Sequence, residues 1–199
     1  MKTTGKLHNL NAWERTATPA TSLVMPTGVD GLDELLPCGG WPRNGLVEII
    51  VPDDYVDFMS LLMPALARFS RQGRWLAMVT PPSQARASLF TDSRVDSLKV
   101  LQVNPHPGRS ALWTAESMLQ SGDCSVVLAW PNCNTELMDK RLQNAATSGK
   151  ALAILVRYEG MSTPGSVVDV RLKLETDTDG SAVYLVNNQG EMLSGVALV

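Results

Sequence analysis

The sequence predicts an α/β fold with a mostly parallel sheet, helices on both faces of that sheet, and an antiparallel hairpin near the carboxyl end. Three observations lead to this prediction. Five short and nearly continuous apolar runs alternate with helical stretches, as in a parallel sheet that is covered on both sides. Glycines and prolines separate these segments. From Val168 onward, apolar and charged residues alternate, which is typical of a strand with one exposed face.

The predicted elements follow one another in a regular order. A short helix in TGVDGLDELL, with Thr27 or Asp30 as its cap, leads through the turn PCGGWPRNG into the first buried strand. We predict strands over residues 46–51, 75–80, 98–103, 125–130 and 151–157. The helices between them are predicted over residues 54–72, 83–90, 110–119 and 135–147. A hairpin then pairs residues 167–175 with residues 181–186.

Length, composition and charge limit the domain organisation and the range of partners. The 199 residues, of which 44% are hydrophobic, are enough to build one substantial core. We predict that residues 1–24 form a flexible N-terminal arm and that residues 25–199 form a single domain. The net charge of −3 and the pI of about 5.4 exclude a global positive field that would attract nucleic acid or an anionic membrane. Any contact with nucleic acid must therefore be local.

The cysteine pattern and the lack of long apolar segments favour a cytoplasmic protein. Cys38, Cys124 and Cys133 form no CxxC pair, and their odd number argues against the disulfide scaffold of a secreted protein. The N-terminus lacks an apolar signal region, and no apolar run approaches the roughly 18 residues that span a bilayer. The acidic residues at positions 30, 33 and 34 have no second set of ligands, so no metal site is predicted.

Several segments resemble known proteins. TGVDGLDELLPCGGWPRNGLVEIIVP resembles the stretch that leads into the ATPase core of RecA. RWLAMVTPPSQ and ALWTAESMLQSGDCSVVLAW are similar to segments of the ImuA/SulA family of RecA-like proteins of the bacterial SOS response. The resemblance covers residues 25–175 and implies a RecA-like fold. Because residues 26–45 are present, whereas the typical SulA begins close to the first strand, the chain looks nearer to ImuA.

The segment that would form a phosphate-binding loop in such a fold lacks the residues that bind phosphate. A functional loop needs glycines, a lysine and a hydroxyl group. In the RecA-like pattern, Val51 and Val56 replace the glycines and Asp57 replaces the lysine. Asp53, Asp54 and Asp57 would repel a phosphate. The complete degenerate segment is Val51, Pro52, Asp53, Asp54, Tyr55, Val56, Asp57, Phe58 and Met59.

Two further positions argue against catalysis. RecA-like enzymes carry a carboxylate just beyond the second strand to activate the attacking water, and here Pro82 lies in that place. They also end a later strand with an aspartate for the metal-bound water, and here Trp130 replaces it. We therefore predict a protein that is not an enzyme and that uses no cofactor. Asp53 or Asp54 would instead cap the following helix, and Trp130 would fill the vacated crevice or anchor a partner.

Tryptophans and basic side chains are the candidate partner-binding residues. Exposed aromatic residues often anchor protein interfaces, and a basic group near residues 157–166 would occupy the region in which RecA places a DNA-contacting loop. A weak contact with single-stranded DNA is one possibility there, and an ordinary solvated surface is the alternative. Pro64, inside the first long helix, indicates either a tolerated kink or a surface shaped for a partner. The candidates are Trp13, Trp41, Arg68, Arg71, Arg74, Arg157, Tyr158, Arg171 and Lys173.

The resemblance leaves two functions open. The preferred hypothesis is a non-catalytic RecA-like adaptor in SOS-induced translesion DNA synthesis. As the resemblance to ImuA implies, its partners would be an ImuB-like Y-family polymerase homologue, an error-prone polymerase and RecA. The alternative is a SulA-type inhibitor of cell division that binds FtsZ and blocks its polymerisation. The presence of residues 26–45 favours the first hypothesis, and the degenerate loop argues against a nucleotide-dependent enzyme.

Overall fold

A computed structural model provides the structure of this protein. It describes most of the chain, and the described parts are residues 24–52, 57–82, 90, 94–105, 109–131, 136–161, 167–177 and 180–198. Three sequence predictions lie outside these residues: the N-terminal arm up to residue 23, the middle of the degenerate loop, and the helix over residues 83–89.

The described chain contains ten strands and four α-helices. The strands are β1 (Val24–Met25), β2 (Trp41–Pro42), β3 (Gly45–Val51), β4 (Trp75–Val79), β5 (Val100–Val103), β6 (Cys124–Ala129), β7 (Leu152–Tyr158), β8 (Val170–Asp177), β9 (Gly180–Val186) and β10 (Met192–Leu198). The helices are α1 (Leu32–Leu35), α2 (Met59–Ser70), α3 (Ala111–Ser121) and α4 (Glu136–Gly149).

Eight of the described strands form one sheet in the order β10-β9-β8-β3-β7-β6-β4-β5. The strands from β5 to β8 in this order run parallel, and β9 and β10 add antiparallel pairs at one side. Every residue of β3 and β6 is buried, as the continuous apolar runs predicted. One core lies between the sheet and α2, and a second core lies between the sheet and the helices α3 and α4.

The α/β class is confirmed, but the assignment to a RecA-like fold with a terminal hairpin is wrong. The described sheet is mixed, and β8, β9 and β10 form a three-stranded antiparallel block where the sequence predicted two strands. β10 escaped prediction because Ser194 and Gly195 interrupt its apolar pattern. Gly195 is needed there, since a Cβ atom at this position would lie 2.4 Å from Cδ1 of Tyr184 on the paired strand β9.

Trp41 was predicted to be an exposed anchor for a partner, and this prediction is wrong. It lies in β2, which pairs with β1 in a short antiparallel ribbon. Its side chain is 0% exposed and belongs to the core that includes α2. The Gly/Pro turn therefore folds this tryptophan inward and gives a short ribbon that the sequence did not predict.

A buried network of four charged side chains joins the centre of the sheet to α4. Arg157 of β7 donates from Nη1 to Oε1 of Glu48 on β3 at 2.6 Å, and from Nη2 to Oδ1 of Asp139 on α4 at 2.6 Å. Arg171 of β8 donates from Nε to the other carboxylate oxygen of Glu48. It also donates from Nη1 to the backbone oxygen of Asn187 at 3.3 Å. All four side chains are at most 2% exposed.

The network keeps Arg157 charged in spite of its burial. Desolvation, the largest effect, lowers the pKa of Arg157, but hydrogen bonds and charge attraction from Asp139 and Glu48 raise it above its ordinary value. The prediction that Arg157 and Arg171 contact a partner or DNA is therefore wrong. Both guanidinium groups are committed to buried carboxylates and cannot reach a partner at the surface.

We predict that Arg157→Met lowers the free energy of unfolding by about 3–5 kcal/mol, because it leaves the buried carboxylate of Asp139 without its partner. The control is Lys173→Met, since Lys173 makes only partly exposed salt bridges and its loss should cost less than about 1 kcal/mol. Urea unfolding measures both values. In the double variant Arg157→Met/Asp139→Leu, part of the stability should return. Equal losses in the two single variants would contradict this account.

Candidate functional site

The carboxyl edge of the parallel strands is the first place to look for a ligand site, because open α/β sheets bind ligands there. In this protein, two aromatic rings occupy that edge. Trp130 follows β6 directly, Phe58 precedes α2, and their ring centroids lie 6.1 Å apart. Trp130 is 8% exposed and Phe58 is 7% exposed. We call this pair the aromatic plug.

The backbone holds the plug in place. The N–H of Trp130 donates to the backbone oxygen of Val79 at 3.2 Å. The hydroxyl of Thr80 donates to the backbone oxygen of Trp130 at 2.8 Å. Pro82, which was predicted to replace a catalytic carboxylate, is half-buried two residues after Thr80. The position predicted to have lost its aspartate therefore contributes a packed indole ring.

The described parts of the degenerate loop are structural. Val51 is the buried last residue of β3, and its backbone oxygen accepts the N–H of Glu159 at 3.0 Å. Asp57 is exposed and accepts the N–H of Ser60 at 3.2 Å through Oδ1, so its carboxylate satisfies a donor of the first turn of α2. Met59 is buried in the core. Pro52 is exposed, and the loop residues Asp53, Asp54, Tyr55 and Val56 lie outside the described residues.

The other candidate partner-binding side chains fall into different environments. Arg74 is half-buried and donates to the backbone oxygens of Gly149 and Lys150 at 2.6 and 2.7 Å, so it fastens the end of α4. Arg68 and Arg71 are exposed on α2 and just after it. Their role in binding stays a prediction. Trp13 lies outside the described residues.

The candidates near the end of β7 form a polar surface. Lys173 bridges Glu159 and Glu175 at 2.7 and 2.8 Å. The hydrogen bond to Glu159, followed by the one to Glu175, raises the pKa of Lys173 above its ordinary value. Tyr158 is half-buried beside this group. Two carboxylates already accompany this lysine, which makes the surface a poor match for the phosphates of DNA.

An apolar surface lies at the β5 side of the sheet, and it was not predicted from the sequence. Trp75 is 40% exposed, Leu98 is 83% exposed and Leu101 is 40% exposed. Lys99 Nζ lies 5.3 Å from the centroid of the Trp75 ring, which places a cation over it. We call Trp75, Leu98 and Leu101 the β5-edge patch. It was predicted to be part of a buried strand, but β5 is an outer strand and Leu98 lies in a 3₁₀ turn before it.

The cysteines differ in their environment. Cys38 is exposed, whereas Cys124 is buried at the start of β6. Burial raises the pKa of the Cys124 thiol to about 11, and the nearby charge of Arg74 only partly opposes this. Cys133 lies outside the described residues.

The described chain offers neither a cluster of metal ligands nor a membrane-spanning helix. Its residues include no group of three or more histidine, cysteine, aspartate or glutamate side chains arranged to hold a metal ion. Among its helices, none combines the length and the apolar character needed to cross a membrane.

The described chain is thus an α/β protein with a mixed sheet, in which Trp130 and Phe58 pack near the carboxyl edge of the parallel strands. The family model described as "Cell division inhibitor SulA" matches residues 45–153, which is more than half of the chain. The chain belongs to the SulA family.

Individual relatives agree with the family model. The protein named "Cell division inhibitor SulA" from Yersinia pestis strain Pestoides F is 31% identical over 134 residues, which cover 67% of this chain and 80% of the relative. The SulA protein from Yersinia pseudotuberculosis strain IP 31758 gives the same values. A crystal structure of SulA from Pseudomonas aeruginosa is 22% identical, covers 57% of this chain and 97% of that chain, and superposes with a TM-score of 0.49.

Family membership corrects two expectations. The fold is that of a SulA-family protein, with a mixed eight-stranded sheet in the described chain, and the RecA-like assignment is wrong. The hypothesis of a translesion adaptor is also wrong, because the matched family is SulA. The presence of residues 26–45 had favoured the resemblance to ImuA over that to SulA. The family model begins at residue 45, so these residues precede the matched part and do not argue against SulA.

We predict that Trp130→Ala lowers the free energy of unfolding by about 3–5 kcal/mol, because it leaves a cavity beside Phe58. Trp113→Ala is the matched control, since Trp113 is 40% exposed on α3 and its loss should cost less than about 1 kcal/mol. Urea unfolding provides the measurement. Similar losses for the two variants would show that Trp130 does not pack as described.

We predict that the Cys124 thiol is slow to react in the native protein. In a Cys133→Ser background, a thiol reagent at pH 8 should modify Cys38 rapidly and Cys124 only after unfolding. The native reactivity of Cys124 should keep rising with pH towards about 11.

The same shift makes stability depend on pH. The raised pKa means that the folded state favours the neutral thiol. The contribution of the Cys124 thiol to stability is therefore complete below its ordinary pKa of 9.0 and is lost as the pH rises towards about 11.

For the labelling experiment, equal modification of Cys38 and Cys124 at pH 8 would contradict the buried position of Cys124.

Proposed function

We propose that this protein is a cytoplasmic inhibitor of cell division that binds FtsZ and blocks its polymerisation without catalysis. One observation carries the proposal: the family model described as a cell division inhibitor matches residues 45–153, from β3 to the first two residues of β7. This span includes the centre of the sheet, the aromatic plug and the β5-edge patch. FtsZ is the partner that the resemblance to SulA implies.

The geometry supports action by binding. The aromatic plug occupies the sheet edge at which a related α/β protein could hold a ligand, so the exposed surfaces are left to carry the function. The β5-edge patch offers one exposed indole ring and two exposed leucines beside an outer strand. Burying one large apolar side chain contributes about 1.5–3 kcal/mol, and an outer strand can add backbone hydrogen bonds to a partner. We propose the β5-edge patch as the surface that contacts FtsZ.

The experiment follows the polymerisation of purified FtsZ by light scattering and by sedimentation in the presence of this protein. The amount of polymer should fall as the concentration of this protein rises. The variant Leu98→Ser/Leu101→Ser should need about tenfold more protein for the same effect, because two exposed anchors lose their apolar contacts. Leu137→Ser is the control, since Leu137 is 69% exposed on α4, on a different element of the fold.

The outcomes separate the function from the surface. If the wild-type protein neither reduces polymerisation nor binds FtsZ in a calorimetric titration, the proposed function is wrong. If the wild-type protein inhibits polymerisation and the double variant inhibits it equally well, the function stands and the β5-edge patch is not the contact. A weaker effect of Leu137→Ser than of wild type would place the contact on α4 instead.

A further inference from the structure

A groove runs along α2 and combines an apolar floor with a basic rim. Its lining consists of Gly28, Met63, Pro64, Ala67, Arg68, Arg71 and Arg94, and its volume is about 520 Å³. Three of these seven residues are arginines, in a chain whose net charge is −3. We call it the α2 groove. Its positive character is therefore a local property that opposes the charge of the whole protein.

The floor of the groove is shaped by a close contact between the backbone of Gly28 and the proline ring of Pro64. Gly28 has a φ of +77°, and a Cβ atom at this position would lie 2.7 Å from Cβ of Pro64. The segment before α1 can therefore cross α2 directly over Pro64 only because residue 28 has no side chain. Met63 and Ala67 lie beside this crossing and supply partly exposed or buried apolar surface. A methionine can adapt its shape to an aliphatic side chain of a ligand.

The rim has guanidinium groups with donors that no described residue uses. Arg68 donates from Nη1 to the backbone oxygen of Pro26 at 3.1 Å, which orients its side chain along the groove and uses one of its five N–H groups. Arg71 and Arg94 are exposed and make no salt bridge with another described residue. The neighbouring carboxylate of Asp96 accepts the N–H of Leu98 at 3.1 Å. The arginines are thus positioned for an anionic ligand.

We propose that the α2 groove binds an acidic peptide segment of a partner protein, in which glutamate or aspartate alternates with aliphatic residues. Carboxylates match the fork geometry of arginine and form charge-assisted hydrogen bonds with it. Aliphatic side chains match the floor of Met63, Pro64 and Ala67. Nucleic acid fits less well, because three cations are a small footprint and the groove lining includes no aromatic ring on which a base could stack.

The test measures fluorescence anisotropy of a fluorescein-labelled peptide of alternating glutamate and leucine with the purified full chain. A peptide of alternating lysine and leucine controls for apolar binding. The acidic peptide should bind, and its affinity should fall as NaCl rises from about 50 to about 300 mM. The assay contains no FtsZ, so its result is independent of whether this protein inhibits FtsZ polymerisation.

The variant Arg71→Glu/Arg94→Glu should bind the acidic peptide about tenfold more weakly, because two attractive charges become repulsive. The matched control is Lys140→Glu/Lys150→Glu, which changes the net charge equally at exposed positions on and after α4. The control should bind as the wild type does. Urea unfolding verifies that both variants are folded.

Three results would overturn the proposal. The first is equal affinity for the acidic and the basic peptide. The second is equal weakening in the two double variants, which would show a response to net charge alone. The third is tighter binding of a single-stranded oligonucleotide than of the acidic peptide, with the same dependence on Arg71 and Arg94, which would assign the groove to nucleic acid.

Discussion

The buried pairing of Arg157 with Glu48 and Asp139 is the interaction on which the rest of the structure depends. Removing these charges from water is costly, and the cost is met only if each charged group finds its partners. The partners lie on β3, β7 and α4, and Arg171 extends the network to β8. In the observed register Arg171 lies directly opposite Glu48. A slip of β8 by one residue would turn Arg171 to the other face, so the network selects this register among apolar alternatives.

Because the charged groups of this network pair with one another inside the protein, only other side chains remain for binding at the surface. The basic residues around the end of β7 are either buried or accompanied by glutamates. Exposed arginines remain along α2, and exposed apolar side chains remain beside β5. Two groups of arginines therefore differ in their environment. Those near the centre of the sheet organise the fold, and those on α2 are available to a partner.

The alternation of parallel strands and helices along the chain could be predicted from the sequence, because the spacing of apolar residues and the turn residues are local signals. The prediction failed where the environment of a residue depends on a partner that is distant in the chain. Arg157 and Arg171 form hydrogen bonds with Glu48, which is 109 and 123 residues away from them in the sequence. No local pattern indicates that these two arginines are buried. β10 was not predicted because the reason for Gly195, its close contact with the ring of Tyr184, lies on another strand. Within the candidate site, the contact of Asp57 with Ser60 is local in the chain, whereas the exposed apolar patch depends on which strand is outermost.

The aromatic plug also bears on how such a protein is controlled. The indole ring of Trp130 is packed in the core beside Phe58, so the described part of this sheet edge takes its shape from the protein's own packing. Under the proposed function, capture of the target follows mass action. The fraction of target that is captured then depends on how many copies of this protein the cell contains. Synthesis and removal of the protein would in that case set the strength and the duration of its effect.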